Sequence, residues 1–180
     1  MKKKFYDLLK STQRISVDYI LEQLEEIGFF KAPASRKDHL NYDGGLMEHS
    51  LNVYRVAMML AKDLQQLRPD IQFREDSIII TSLLHDICKA TRYKKKANGE
   101  YIKNFTDFPV GHGEKTVIML LQWGLPLTKE EILAIRWHMG PWQLPLHNEE
   151  QQKDYVQAVE SCPLVTLIHT ADTLASKIIE

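Results

Sequence analysis

The 180 residues are enough for one domain with a substantial core. Hydrophobic residues make up 44% and charged residues 26%, a globular balance that excludes a disordered chain. A net charge of −1 removes overall charge as a reason to bind nucleic acid and leaves only a local basic patch to supply one. The N-terminal Met1-Lys2-Lys3-Lys4 is not followed by an apolar run, because Asp7, Lys10, Gln13 and Arg14 interrupt it. No stretch approaches the ~20 apolar residues of a membrane span, so no membrane partner is expected. Cys88 and Cys162 are too few for a disulfide framework and lack zinc-motif spacing, which points to a reducing, cytoplasmic setting.

Ile20, Leu21, Leu24 and Ile27 give residues 17–27 a helical period that Gly28 ends. Residues 33–41 read as a connector, and Asp43-Gly44-Gly45 as a turn. A long helix over 46–67 follows, with Leu51, Tyr54, Met58 and Ala61 at core spacing. Residues 74–88 predict a second helix, apolar on most sides and therefore central and buried. Asn98-Gly99 is a hairpin signal that pairs 91–96 with 100–105. Helices then resume over 112–123, 128–139, 148–161 and 163–179. Thr128 with Glu131 forms a capping box, and Pro163 suits a first helical position. The class is all-α with one small β excursion.

Across these elements runs a series of ligand-type residues: His49, the pair His85-Asp86, His112, His138 and Asp172. Imidazole and carboxylate are the donors a divalent transition metal takes when water must also bind. Each residue alone has a plainer reading. A His-Asp pair is commonly a helix end, His49 a hydrogen-bonded core histidine, and His138 a C-terminal cap favoured by the helix dipole. Position favours metal for the pair, because His85-Asp86 follows the apolar Leu83-Leu84, where an ionised carboxylate needs compensation. Asp172 lies between Ile168 and Leu174 and needs a metal or a salt bridge for the same reason. His169, three residues earlier, reads as a core or supporting residue. Lys89, three residues after Asp86, can present a point charge to a phosphate.

The strings Gly44-Gly45-Leu46-Met47-Glu48-His49-Ser50, Leu83-Leu84-His85-Asp86-Ile87-Cys88-Lys89 and His169-Thr170-Ala171-Asp172 together resemble the HD superfamily of metal-dependent phosphohydrolases, whose pattern is H…HD…D in a helical bundle. The resemblance spans about residues 40–178. It implies a single HD-type domain over 1–180, with 1–40 as an N-terminal helical extension and 41–178 as the metal-binding core. It also implies one metal held by His49, His85, Asp86 and Asp172. Two-metal members carry two further histidines between the HD pair and the last Asp, and His112 and His138 match that order. The arrangement is similar to the branch containing 3′–5′ exoribonucleases and cyclic-dinucleotide phosphodiesterases. Trp137-His138-Met139-Gly140-Pro141-Trp142 departs from the double-His and Gly-Tyr-Pro signature of the latter, and residues 1–40, read as helical, stand before the core where the former carry an OB-fold. Cys88 stands where Gly is commonest and brings a thiol near the metal, where oxidation would bear on activity.

The expected activity is hydrolysis of a phosphate ester, a nucleotide or other phosphodiester, by a metal-activated water. One or two divalent ions serve, Mn or Fe favoured over Co, Ni, Zn or Mg. Asp86 and Lys89 are the expected catalytic residues, Asp86 serving as general base if a single ion binds. Lys89, Arg92 and Arg136 are the expected substrate-binding residues. Lys94, Lys95 and Lys96 read first as a solvated loop. Trp137 and Trp142 suit either base stacking or packing, and Gly140, Pro141 and Pro145 suggest an irregular pocket wall. The competing expectation is a non-catalytic metal- or nucleotide-binding module of the same fold. A bundle with incidental histidines comes third.

Overall fold

The computed structural model describes residues 1–104, 108–144 and 148–180. Its centre is the segment most apolar in sequence: helix α4 (Glu75–Leu84) buries every residue from Ser77 to Leu84. Full burial of each Ile or Leu there contributes about 1.5–3 kcal/mol. Before it come α1 (Lys2–Ser11), α2 (Val17–Glu26), a 3₁₀ turn at Phe29–Lys31 and the long α3 (Gly45–Leu67). After it come α5 (Lys89–Arg92), strands β1 (Tyr93–Lys95) and β2 (Tyr101–Lys103), α6 (His112–Gln122) and α7 (Lys129–Trp137). A 3₁₀ turn at Gly140–Gln143, α8 (Glu149–Ser161) and α9 (Pro163–Leu174) complete the bundle, α9 running into a π turn at Ala175–Ile179. The all-α class with a two-stranded excursion is as expected from sequence.

Helix α3 packs on α4 and α9, and α7 on α6 and α9. Two apolar clusters result. Phe5, Leu9, Leu24, Phe29, Leu46 and Ile80 anchor one. Val53, Ala57, Ile78, Ala134, Val165 and Ile168 anchor the other. Helices α3 and α4 contribute to both. The N-terminal helices are tied in by polar contacts as well: Arg14 hydrogen-bonds Asp76 at 3.0 Å and pairs with the buried Glu131, which also accepts from Ser77 at 2.7 Å. Glu131 closes the capping box with Thr128.

Two elements differ from the sequence expectation. The helix over 74–88 ends at Leu84, and residues 85–88 form a turn. There the bonds Ile87 N–H to Leu84 O at 3.3 Å and Lys89 N–H to Asp86 O at 2.9 Å close tighter rings than a helix does. Ile87 and Cys88 are buried all the same, which is why apolar pattern alone reads straight through the turn. The last helix likewise changes to a π turn after Leu174. The hairpin is present, with Tyr93 paired to Lys103 and Gly99 at φ 86° in the turn. Phe105, the end of its expected second strand, and Pro145 lie outside the described residues.

Candidate metal centre

Four helices and one turn bring the ligand-type residues together. His49 comes from the first turns of α3, His85 and Asp86 from the turn after α4, His112 from the first residue of α6, His138 from the end of α7 and Asp172 from α9. Gly113 makes one approach feasible: a Cβ there would meet the Arg136 carbonyl oxygen at 2.3 Å, so only glycine lets α6 bring His112 against the end of α7. The imidazoles form a run, with ring centroids 5.3 Å apart for His49–His85, 4.8 Å for His85–His138 and 5.1 Å for His112–His138.

The Nε2 atoms of His49, His85 and His138 are buried and have no hydrogen-bond partner. Each faces carboxylate oxygens instead. His49 Nε2 lies 3.1 Å from Asp172 Oδ1 and 3.6 Å from Asp86 Oδ2. His85 Nε2 lies 3.5 Å from Asp86 Oδ2 and 4.0 Å from Asp172 Oδ1, and His138 Nε2 lies 3.4 Å from Asp86 Oδ1. Donor atoms bound at about 2.0–2.2 Å to one ion stand about 3.0–3.5 Å apart, a range that holds three of these five spacings, two of them longer than an ordinary hydrogen bond. Leaving such atoms buried without a partner costs about 1–3 kcal/mol each. The donor atoms fall into the groups His49, His85, Asp172 and His85, Asp86, His138, either of which could hold a metal. The residues present therefore fit a divalent ion.

Supporting contacts orient the rings. His85 Nδ1 donates to Ser82 O at 2.9 Å and His138 Nδ1 to Ile135 O at 2.7 Å, which leaves both Nε2 lone pairs aimed inward. His49 Nδ1 meets both Glu180 oxygens at 3.1 Å, and Asn52 donates to the same carboxylate at 3.1 Å. His112 is held differently. Its Nε2 is 2.5 Å from Asp86 Oδ1, while its Nδ1 faces Cys88 Sγ at 2.8 Å and Arg92 Nη1 at 3.3 Å.

Electrostatics follow from this packing. Burial opposes charge on Asp86, yet Lys89, His85 and His112 hold its carboxyl well below the usual range. Asp172 is likewise depressed against its burial, by His49 and His85. Burial would lower His49, but the carboxylates of Asp172 and Glu180 that face its two ring nitrogens carry it up to about 9. Burial pushes His112 down to about 4. Lys89 touches Asp86 Oδ2, and that pairing raises its ammonium against burial. Burial, with the Asp86 charge, pushes the Cys88 thiol up to about 12, which favours the thiol over the thiolate beside the centre.

Two large cavities open on the cluster. One of about 670 Å³ is bounded by Lys89, Arg92, Tyr93, His112 and Arg136. Another of about 470 Å³ reaches Lys89, His138, Trp142 and Asp172. Lys89 and His39 border both. Arg136 meets the first cavity but is paired with Glu114 at 2.5 Å and lies over the Trp137 ring at 3.8 Å. Trp137 itself is buried against Tyr155, so of its two expected roles it takes packing, whereas Trp142 is 84% exposed. Lys95 pairs with Asp43 and Lys96 with Glu100, both on the surface. His169 donates to His138 O at 2.7 Å, a supporting contact.

Sequence reasoning missed Glu180 and His39. Glu180 follows an apolar run with no motif to mark it, and its link to His49 crosses 131 positions. His39 lies in the connector, its Nε2 buried and 3.8 Å from Glu180. A lone histidine in a connector carries no signal.

The HD domain family matches residues 46–177. The chain belongs to the HD domain family. HD domains bind divalent metals, in keeping with the His/Asp groups described above. A dihydroneopterin 2′,3′-cyclic phosphate phosphodiesterase from Methanocaldococcus jannaschii is 28% identical over 148 residues, covering 82% of this HD chain and 53% of that relative. The chain thus spans about half the length of that relative. No solved structure matches it. Among the described residues no helix is long and apolar enough to cross a membrane.

Proposed function

We propose that this HD domain is a metal-dependent phosphodiesterase acting on a nucleotide-like ester, with two ion positions that share Asp86. The observation that carries the reading is the set of three buried, unpartnered Nε2 atoms facing two carboxylates beside Lys89. His49, His85 and Asp172 would hold one ion, and His138 with His112 the other. Residues 1–40 are taken as an extension continuous with the core, and the cytoplasm as the setting.

A bound divalent ion supplies a water acidified toward neutrality and neutralises phosphate oxygens. The chain's own groups do the rest. Asp86 Oδ1 faces His112 and His138 while Oδ2 faces His49, His85 and Lys89, so its carboxylate would hold negative charge between the two positions. Lys89 Nζ borders both cavities and donates to a phosphoryl oxygen as charge grows on it. Arg92 borders the larger cavity and orients the ester, and Trp142 offers an exposed face to a ring. Arg136, neutralised by Glu114, shapes the wall. Mn or Fe is the favoured ion.

The test is hydrolysis of bis(p-nitrophenyl) phosphate with Mn. Turnover that chelation abolishes and Mn restores supports the reading. Metal binding without hydrolysis of any phosphate ester would instead favour a non-catalytic module.

A further inference from the structure

The larger cavity does not end at the metal centre. A second arm of about 400 Å³ continues it, and Ser35, Asp38, Arg92 and Tyr93 border both. Arg36, Lys37 and Lys103 line the far arm, with Arg92 at the junction. Among the described residues, Asp38 is the one carboxylate in the lining of this arm, beside four cationic side chains, on a chain whose net charge is −1. Arg36 and Lys37 are exposed and make no ion pair among the described residues, unlike Lys95 and Lys96 on the neighbouring hairpin. The loop that carries them is fixed: Ser35 Oγ donates to His39 O at 2.8 Å and accepts from the Asp38 N–H at 2.9 Å.

The order of groups along this path is informative. Lys89 sits at the cluster, Arg92 one helical turn further, Tyr93 beside it, then Arg36 and Lys37. Cation, aromatic, cation is the sequence of contacts that a phosphate, a ring and a second phosphate require. A substrate with a single phosphate would leave the far arm unused.

We infer that the arm is a second phosphate subsite, and that the substrate carries a terminal phosphate one nucleoside away from the ester that is cleaved. The inference rests on the phosphodiesterase reading and deepens it. For the 5′-phosphorylated dinucleotide pApA, water adds to the internal phosphorus, the bond to the 3′-oxygen breaks and two molecules of AMP leave. ApA reacts in the same way but has no phosphate for the far arm.

The experiment compares kcat/KM for pApA and ApA with Mn at low salt, in the native chain and in Arg36→Ala/Lys37→Ala. The expected result is a preference for pApA of about tenfold or more, carried by KM, shrinking as salt rises and collapsing toward one in the double variant. Equal kcat/KM for the two substrates, or a preference that survives the double substitution, overturns the subsite. Bis(p-nitrophenyl) phosphate separates the two failures: if it too is untouched, the phosphodiesterase reading is what fails. Calorimetric binding of pApA against ApA then decides the subsite, through tighter pApA binding in the native chain alone.

Discussion

His138 and His112 were paired in the sequence as the two histidines of a second metal position, yet they are built differently. His138 gives its Nδ1 proton to a backbone carbonyl and keeps Nε2 buried and unpartnered. His112 spends Nε2 on Asp86, and its Nδ1 faces two donors, the Arg92 guanidinium and the Cys88 thiol. That contact pattern assigns the proton of His112 to Nε2, the atom a metal would need. His85, like His138, has the opposite assignment. The lesson is that the His49, His85 and Asp172 position has its histidines oriented by supporting contacts, whereas the position that His138 shares with His112 asks His112 to exchange its proton and release Asp86.

Substitutions can break this contrast, and Asp86→Ala has the largest expected effect. Its two oxygens face both halves, so the variant should lose hydrolysis and bind neither ion, by activity and by elemental analysis. A variant that still hydrolyses esters would remove Asp86 from the centre. Glu180→Ala comes next. It removes the carboxylate that orients His49, so affinity at the preorganised position should fall about 10–100-fold with the fold intact. Unchanged affinity would mean that the packing of α3 alone orients His49.

The smallest effect concerns Cys88. With its pKa up from 9.0 to about 12, the thiolate fraction is about a thousandfold below that of an ordinary thiol. Iodoacetamide at neutral pH should leave Cys88 unlabelled in the folded protein and label it on denaturation. Rapid labelling of the folded protein would show that the thiol yields its proton to His112, and the tautomer assigned above would be wrong.

The same contrast explains what the sequence made legible. His85, Asp86 and Asp172 stood out in the sequence as polar residues in apolar surroundings, and His49 and His138 by an order that resembles a known pattern; the structure brings the five together. The capping box at Thr128 and the Asn98-Gly99 hairpin were readable because local chemistry determines them. What was not readable depends on the tertiary path. Glu180 reaches His49 only because the π turn that continues α9 packs against α3. The break after Leu84 was hidden because Ile87 and Cys88 stay buried through the turn. The hydrogen bond of His112 to Asp86 depends on how closely α6 approaches α7 at Gly113, a distance that no pattern of residues encodes.

Titration of Mn into chelator-treated protein, followed by calorimetry, tests the central claim most directly. The native chain should show a tight event and a weaker one. His49→Ala should remove the tight event and His112→Ala the weak one. A single event that His112→Ala leaves unchanged, or no binding at all, would contradict a shared two-ion centre built around Asp86.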